Sequence, residues 1–345
     1  MPGSAPTFGL TLAITFWAAG MVTFGRAQEP AKTNPASTGA GYQYYRSGNP
    51  EDVKRQTRPG VMLMGGGSDL DAAFKWMCDR AGGGDFLVLR ASGTDDYNPY
   101  IRGLCPQLNS VATLIITARE GASQAFVVDK IQHAEAIFIS GGDQSNYVKF
   151  WTGTPARDAL NEAIAKGRPI GGTSAGLAVL GQFVFAALMD TIHSPEALAN
   201  PYDPHLTLVR NFLRVPQMEG MITDTHFVAR DRLGRTLAFL ARIVADGWAT
   251  QASAIAVDEK NAAALEPDGT ARVMGNGSAY FLRTSGAPEV CKPKTPLTYR
   301  NISVYRITGA GSFNLVTWKG SGGTAYTLSV ASGVVTSTQP SGSIY

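Results

Sequence analysis

Short apolar runs that end in glycine alternate with stretches of helical spacing through the first half of the chain. Val61-Met-Leu-Met64 runs into Gly65-Gly66-Gly67, and Asp69 to Arg80 follows with helical periodicity. Phe86 to Leu89 ends at Ala91-Ser92-Gly93. Thr113 to Ile116 precedes a helical pattern from about Ser123 to His133. Ala136 to Ile139 stops at Gly141-Gly142, a helical stretch covers about Pro155 to Lys166, and Pro169-Ile170 enters Gly171-Gly172-Thr173-Ser174. Runs that are apolar at every position suit strands buried on both faces, so the pattern argues a parallel sheet between layers of helix. Ligands of such sheets bind beyond the carboxyl ends of the strands. The glycine segments after Met64, Ile139 and Ile170 are therefore expected to line one site.

The character changes after about residue 250. Ser253 to Val257, Ala262 to Leu265, Ala271 to Met274 and Ser278 to Leu282 are short strand patterns separated by turns such as Pro267-Asp268-Gly269 and Gly275-Asn276-Gly277. They read as an antiparallel meander. Pro288, Pro293 and Pro296 interrupt the chain before Ile302 to Ile307 and a Gly/Ser/Thr-rich tail. The tail retains Phe313, Trp318 and Tyr326 and is expected to form a β-rich extension over 285–345. At the other end, Phe8 to Phe24 is apolar or small, and Gly25 and Ala27 fit a signal-peptidase site. Residues 1–27 are expected to be a cleavable export signal, although no Lys or Arg precedes Arg26. Residues 28–58, rich in Pro, Ala, Gly, Thr and Tyr without periodicity, read as a flexible, exposed leader. The catalytic α/β domain would then span 59–284.

Charge narrows the function classes. Thirty Lys and Arg stand against 27 Asp and Glu in 345 residues, which leaves no basic footprint for nucleic acid. There is no apolar run of membrane-spanning length followed by a charged stop, so no stable membrane insertion is expected after signal cleavage. The three cysteines, Cys78, Cys105 and Cys291, have no Cys-x-x-Cys spacing and no adjacent histidine, which argues against zinc. Export would permit one disulfide and leave one thiol. Cys78, on an apolar helix-like face, reads as a buried free thiol; the pairing stays open.

The chemistry-bearing residues begin with Gly172-Thr173-Ser174-Ala175-Gly176, a G-x-S-x-G sequence directly after an apolar strand and before a helical stretch. A sharp strand-to-helix turn exposes a serine oxygen and tolerates only small neighbours. The helix start also offers backbone N–H groups to a developing oxyanion. A serine nucleophile needs a base, and the chain has four histidines: His133, His193, His205 and His226. His226 stands out because Asp224, Arg230, Arg232 and Arg235 surround it in sequence beside an apolar strand. Arginines next to a base suit a substrate carboxylate.

Four segments in order carry a specific resemblance: Ser140-Gly-Gly-Asp-Gln144, Gly171-Gly-Thr-Ser-Ala-Gly176, Asp224-x-His226-Phe227-x-x-Arg230-x-Arg232-x-Gly234-Arg235, and Val257-Asp-Glu259. Over about residues 59 to 284 the chain resembles the cyanophycinase family of serine peptidases, relatives of peptidase E on the class I glutamine-amidotransferase-like fold. The resemblance implies hydrolysis of β-aspartyl-arginine bonds in cyanophycin, an aspartate polymer with arginine on its side chains. It implies Ser174 as nucleophile, His226 as base and Glu259 as the acid that orients the base, with Asp258 the alternative. It implies Gln144, Asp224, Arg230, Arg232 and Arg235 at the substrate. Thr225 departs from the glutamine common in the family before the histidine, which loosens one pocket contact. The oxyanion is expected at the N–H groups of Gly142 and Ala175.

The expected fold is a flavodoxin-like three-layer α/β sandwich with a mostly parallel sheet, plus the β-rich extension. The expected function is a secreted, periplasmic or extracellular exopeptidase acting through an acyl-enzyme, without metal or organic cofactor. Its partners would be the aspartate/arginine polymer or a β-aspartyl dipeptide, with a homodimer allowed. Three rivals stand beside it. A dipeptidase of the peptidase E kind would not need the Gly-Gly-Asp-Gln turn or the spaced arginines. A silent carboxylate-polymer binding protein would be expected to lack Ser174 or His226. A glutamine amidotransferase would carry cysteine at the elbow.

Overall fold

The computed structural model describes residues 1–4 and 36–345, so the export-signal segment lies almost wholly outside the described residues. Among the described residues the strands form two mixed sheets. The larger one holds a parallel centre in the order Ser110–Ile116, Asp85–Arg90, Ala136–Ile139, Ile170–Thr173 and Val61–Met64. Every residue of the Val61–Met64, Ala136–Ile139 and Ile170–Thr173 strands is buried, as their unbroken apolar or small composition requires. Each large side chain buried there, such as Leu63 or Phe138, contributes about 1.5–3 kcal/mol relative to exposure.

The expectation of one mostly parallel sheet needs correcting. Antiparallel strands extend the parallel centre on both sides. Tyr42–Gly48 pairs with Ser110–Ile116 at one edge, and Asn261–Leu265 pairs with Val61–Met64 at the other. A second sheet joins Ser253–Val257, Met221–Asp224 and Phe183–Phe185 in parallel and continues antiparallel through Ser278–Arg283, Tyr299–Thr308 and Thr324–Ala331. In the C-terminal half connection length contributes: Asn261–Leu265 and Thr270–Gly275, joined by the tight turn at Pro267-Asp268-Gly269, can only run antiparallel, whereas parallel neighbours need a crossover.

Two further readings change and one holds. Residues 28–58 are not leader throughout, because Tyr42–Gly48 is a strand, paired between Ser37–Gly39 and Ser110–Ile116, whose Tyr42 and Tyr44 are buried against Phe126. The region after residue 285 is the expected β-rich extension, and it joins both sheets. Gly311–Asn314 pairs with Thr270–Gly275 in the larger sheet, and Tyr299–Thr308 continues the second. Cys78 is not a free thiol: it forms a disulfide with Cys105, and Cys291 is the free cysteine among the described residues.

The helices Asp71–Arg80, Ala125–His133 and Pro155–Ala165 fall where the periodicity predicts them. Thr154 caps the last of these, and Pro155 occupies its first turn, where a missing N–H costs nothing. No helix among the described residues is long and apolar enough to cross a membrane.

Candidate active site

The carboxyl ends of the parallel strands converge on Ser174. It follows the Ile170–Thr173 strand and precedes the short helix Ala175–Ala178, and its backbone sits at φ 52° and ψ −118°. That left-handed conformation is costly for a residue with a side chain. It is held by a Ser174 N–H donated to the Met64 carbonyl at 3.1 Å, and Gly172 and Gly176, two positions away on each side, let the turn close. A Cβ on Gly176 would lie 1.9 Å from the Ile139 carbonyl oxygen, so the second glycine of the motif is what lets the turn pack against the neighbouring strand.

His226 follows the Met221–Asp224 strand and also has a positive φ, 45°. Its N–H donates to the Gly65 carbonyl at 2.8 Å. A Cβ on Gly66 would lie 2.4 Å from the imidazole Cε1, so the glycine run after Met64 exists partly to make room for this ring. The imidazole Nε2 lies 2.7 Å from Ser174 Oγ, and Nδ1 lies 2.6 Å from Glu259 Oε1. A carboxylate on Nδ1 fixes the tautomer that leaves Nε2 free to accept the serine proton. Burial pushes the His226 pKa below the ordinary histidine value, with Glu259 pulling it up and the Arg230 and Arg232 charges pulling it down. The hydrogen bond with His226 holds Glu259 below the usual carboxylate range. His226 is therefore neutral, and Glu259 ionised, at neutral pH. The other histidines take no part: His133 and His205 are exposed and bond to Asp129 and Asp203 nearby in sequence, and His193 is exposed ahead of a short helix.

Asp258 does not reach the imidazole. Its Oδ1 accepts the N–H groups of Val228 and Ala229, both at 3.0 Å, and so braces the turn that follows His226.

The arginine cluster divides in two. Arg235 and Asp224 are buried together. Arg235 donates Nε to Asp224 Oδ2 at 2.9 Å and a second N–H to Oδ1, and Thr236 Oγ1 donates to the same carboxylate at 2.7 Å. Both side chains are only 3% exposed, so neither can touch substrate, and their expected place at the substrate is corrected to a structural pair. Burial pushes Asp224 up, but Arg235 and these hydrogen bonds bring it below its ordinary value. Thr225 is buried too, and it serves Arg232, whose Nη1 donates to Thr225 Oγ1 at 2.8 Å and to its carbonyl at 3.0 Å. This corrects its reading as a pocket contact. Burial lowers Arg232 to about 10, so it remains a cation at neutral pH.

Arg232 and Arg230 line a cleft of about 420 Å³ together with Gly142, Gln144, Lys149 and Thr191. Gln144 opens the helix Gln144–Trp151, capped by Asp143, so its side chain is presented at the cleft from a fixed backbone. Gly141, one residue before Gly142, lies against Ser174: a Cβ there would be 3.9 Å from Ser174 Oγ. Ala175 is buried at the first position of the short helix. Three cations and an amide beside a serine–histidine–carboxylate chain suit acyl transfer on an anionic substrate. Among the described residues no group of three or more His, Cys, Asp or Glu side chains could hold a metal ion.

One contributor has no sequence signal. Tyr345 Oη donates to Asp231 Oδ1 at 2.7 Å and accepts the Leu233 N–H at 3.1 Å, and its ring packs edge-on against Phe227. It thus clasps the loop that carries Arg230 and Arg232 from more than a hundred residues away in sequence.

Known proteins match this picture. The model of peptidase family S51 matches residues 62–219, a span that includes Ser174 and the five parallel strands but ends before His226. The cyanophycinase of Synechococcus elongatus is 28% identical over 273 residues, covering 74% of this chain and 79% of that protein. The cyanophycinase of Nostoc sp. is 25% identical over 210 residues, covering 59% of this chain and 65% of its own length. Among solved structures, a peptidase from an acI-B1 Actinobacterium superimposes with a TM-score of 0.51 at 17% identity, covering 75% of this chain and 98% of that one, which shows a shared α/β fold.

Proposed function

We propose that this chain, whose residues 62–219 match peptidase family S51, is a serine-type peptidase that hydrolyses β-aspartyl-arginine bonds of cyanophycin from chain ends through an acyl-enzyme. The observation that carries the reading is the unbroken relay from Ser174 Oγ through His226 to Glu259, at 2.7 and 2.6 Å, opening beside a cleft lined by Arg230 and Arg232. In this mechanism His226 Nε2 takes the Ser174 proton as Oγ attacks the aspartyl side-chain amide carbonyl. The negative charge on the carbonyl oxygen is received by the N–H groups of Ala175 and Gly142. His226 then gives the proton to the departing arginine amine as the C–N bond breaks. Water, deprotonated by His226, attacks the ester, and Ser174 recovers its proton as the aspartyl product leaves. Arg230, Arg232 and Gln144 bind the aspartyl carboxylate, and the first two raise its local concentration by charge.

The flavodoxin-like description applies in this reading to the parallel centre of the larger sheet alone. Export belongs to the same proposal. A disulfide between Cys78 and Cys105 supports an oxidising compartment outside the cytoplasm, and amino-terminal sequencing of the exported protein should begin at Gln28.

Incubation of purified protein with cyanophycin and with β-aspartyl dipeptides, followed by mass spectrometry, tests the scissile bond. Free arginine is the expected product. Release of intact β-aspartyl-arginine would move the cut to the polymer main chain. Turnover of α-aspartyl dipeptides alone would favour the peptidase E-like reading.

A further inference from the structure

Ser174 lies at the carboxyl end of a central strand of a sheet with two faces, and the arginine cleft occupies only one of them. Met62 and Met64 pack with Phe74 and Phe138 on one face, whereas Leu63 packs with Tyr147 and Leu177 on the other. Gln144 begins the helix whose Tyr147, Val148 and Trp151 pack on the Leu63 face, so the arginine cleft opens there. Thr173, immediately before Ser174, is the register partner of Met64. Partners in register point to the same side of a sheet, so Thr173 leaves the strand on the Phe74 face.

A half-buried carboxylate waits on that face. Asp69 follows the glycine loop whose Gly65 carbonyl anchors His226. Asp69 Oδ2 accepts the Tyr97 hydroxyl at 2.6 Å, and the Thr173 hydroxyl reaches toward the same carboxylate. That hydroxyl is buried and makes no hydrogen bond of normal geometry. The charge of Arg90 acts on Asp69, but its guanidinium lies 5.6 Å from the Tyr97 ring centroid and is engaged by the Ser92 carbonyl, to which Nε donates at 3.0 Å, and the Thr94 carbonyl, to which Nη1 donates at 2.8 Å. Beside Asp69, Asp71 accepts the Tyr100 hydroxyl at 2.6 Å and adds a second negative charge to this rim. Burial pushes the Asp69 carboxyl up, and the Tyr97 hydrogen bond and the Arg90 charge offset only part of that cost. A cationic ligand would supply the remainder.

We infer that Asp69, held by Tyr97 and backed by the buried Thr173 hydroxyl, forms a guanidinium-binding subsite across Ser174 from Arg230 and Arg232. The two faces then carry opposite charge: cations for an aspartyl carboxylate on one side, a carboxylate for an arginine side chain on the other. A substrate that joins an aspartyl group to arginine spans Ser174 with both ends matched. Asp69 binds and orients substrate and takes no part in proton transfer. The inference deepens the proposed function and rests on it for the identity of the second end.

Asp69→Asn decides it. With β-aspartyl-arginine and β-aspartyl-leucine as paired substrates, wild type should prefer arginine by at least tenfold in kcat/KM. Asp69→Asn should collapse that preference, with the arginine substrate losing at least tenfold more kcat/KM than the leucine substrate, and Asp69→Glu should restore part of it. An unchanged arginine-to-leucine ratio, or equal losses on both substrates, overturns the subsite. If wild type cleaves neither peptide, the proposed function fails, and the subsite is then judged by calorimetry with L-arginine amide. Binding to wild type that weakens at least fivefold in Asp69→Asn supports it. No binding to wild type, or equal binding to both proteins, overturns it.

Discussion

Asp258 and Glu259 are adjacent in the chain but serve different partners: Glu259 Oε1 lies 2.6 Å from His226 Nδ1, whereas Asp258 Oδ1 accepts the Val228 and Ala229 N–H groups at 3.0 Å. They follow a strand, where successive side chains point to opposite sides, so only one of the two can meet the imidazole. Glu259→Gln should cost up to about four orders of magnitude in turnover by favouring the wrong tautomer, with KM little changed. Asp258→Asn should be mild in turnover and cost stability through the turn it braces. The opposite ranking in side-by-side kinetics would transfer the orienting role to Asp258.

The pH profile follows from the same relay. Burial depresses the His226 pKa, so the acid limb of kcat/KM should have its midpoint below the ordinary value of about 6.5. Glu259 pulls that pKa up, so in Glu259→Gln the residual activity should titrate at still lower pH. A midpoint that moves upward in the variant would contradict this account.

Ser174→Ala removes one oxygen from a turn already shaped by its neighbours. Hydrolysis should fall by roughly a thousandfold or more, with an unchanged circular dichroism spectrum. A serine-directed fluorophosphonate should label wild type and not the variant. Substantial turnover in Ser174→Ala would sink the acyl-enzyme.

Arg232 and Arg230 should differ in weight. Arg232 is pre-oriented by Thr225 and its side chain is 15% exposed, whereas that of Arg230 is 54% exposed. Arg232→Ala should raise KM for an aspartyl substrate by about 1.5–3 kcal/mol equivalent, and Arg230→Ala by less. Lysine at 232 should rescue poorly because it lacks the planar fork, and Thr225→Val should reproduce part of the loss. Normal kinetics in both alanine variants would mark the pair as structural.

Arg235→Ala leaves the buried Asp224 carboxylate with only Arg232 at 3.8 Å and the Thr236 hydroxyl to answer it, and should destabilise by about 3–5 kcal/mol in urea unfolding. The folded Asp224 pKa lies below its ordinary value, so the contribution of the pair is full above pH ~4 and is lost as pH falls through the depressed value. Asp224→Asn should therefore lower stability at neutral pH and flatten its decline in acid. The Cys78–Cys105 bond closes a separation of 27 residues, and its reduction should remove about 3 kcal/mol more. Cys291, whose thiol burial pushes up to about 11, should react slowly with iodoacetamide.

Much of the site was legible in the residues themselves because local geometry demands particular side chains. The elbow at Ser174 needs glycine at 176, since any Cβ there would strike the Ile139 carbonyl. The buried parallel strands need unbroken apolar runs, and neighbours on a strand must diverge, so only one of Asp258 and Glu259 can face His226. Partnership across the chain has no such local signature. Whether an arginine meets substrate or a buried aspartate depends on what packs over it, so Arg232 and Arg235, three residues apart, read alike in sequence and differ in the fold. The clasp of Tyr345 on Asp231, the Cys78–Cys105 pairing and the pairing of Tyr42–Gly48 with Ser110–Ile116 likewise join residues distant in sequence. Local backbone sterics marked the serine elbow in the chain, and the order of motifs shared with the cyanophycinase family pointed to His226 and Glu259. Packing between distant elements decided which neighbouring charges line the cleft and which are buried in pairs.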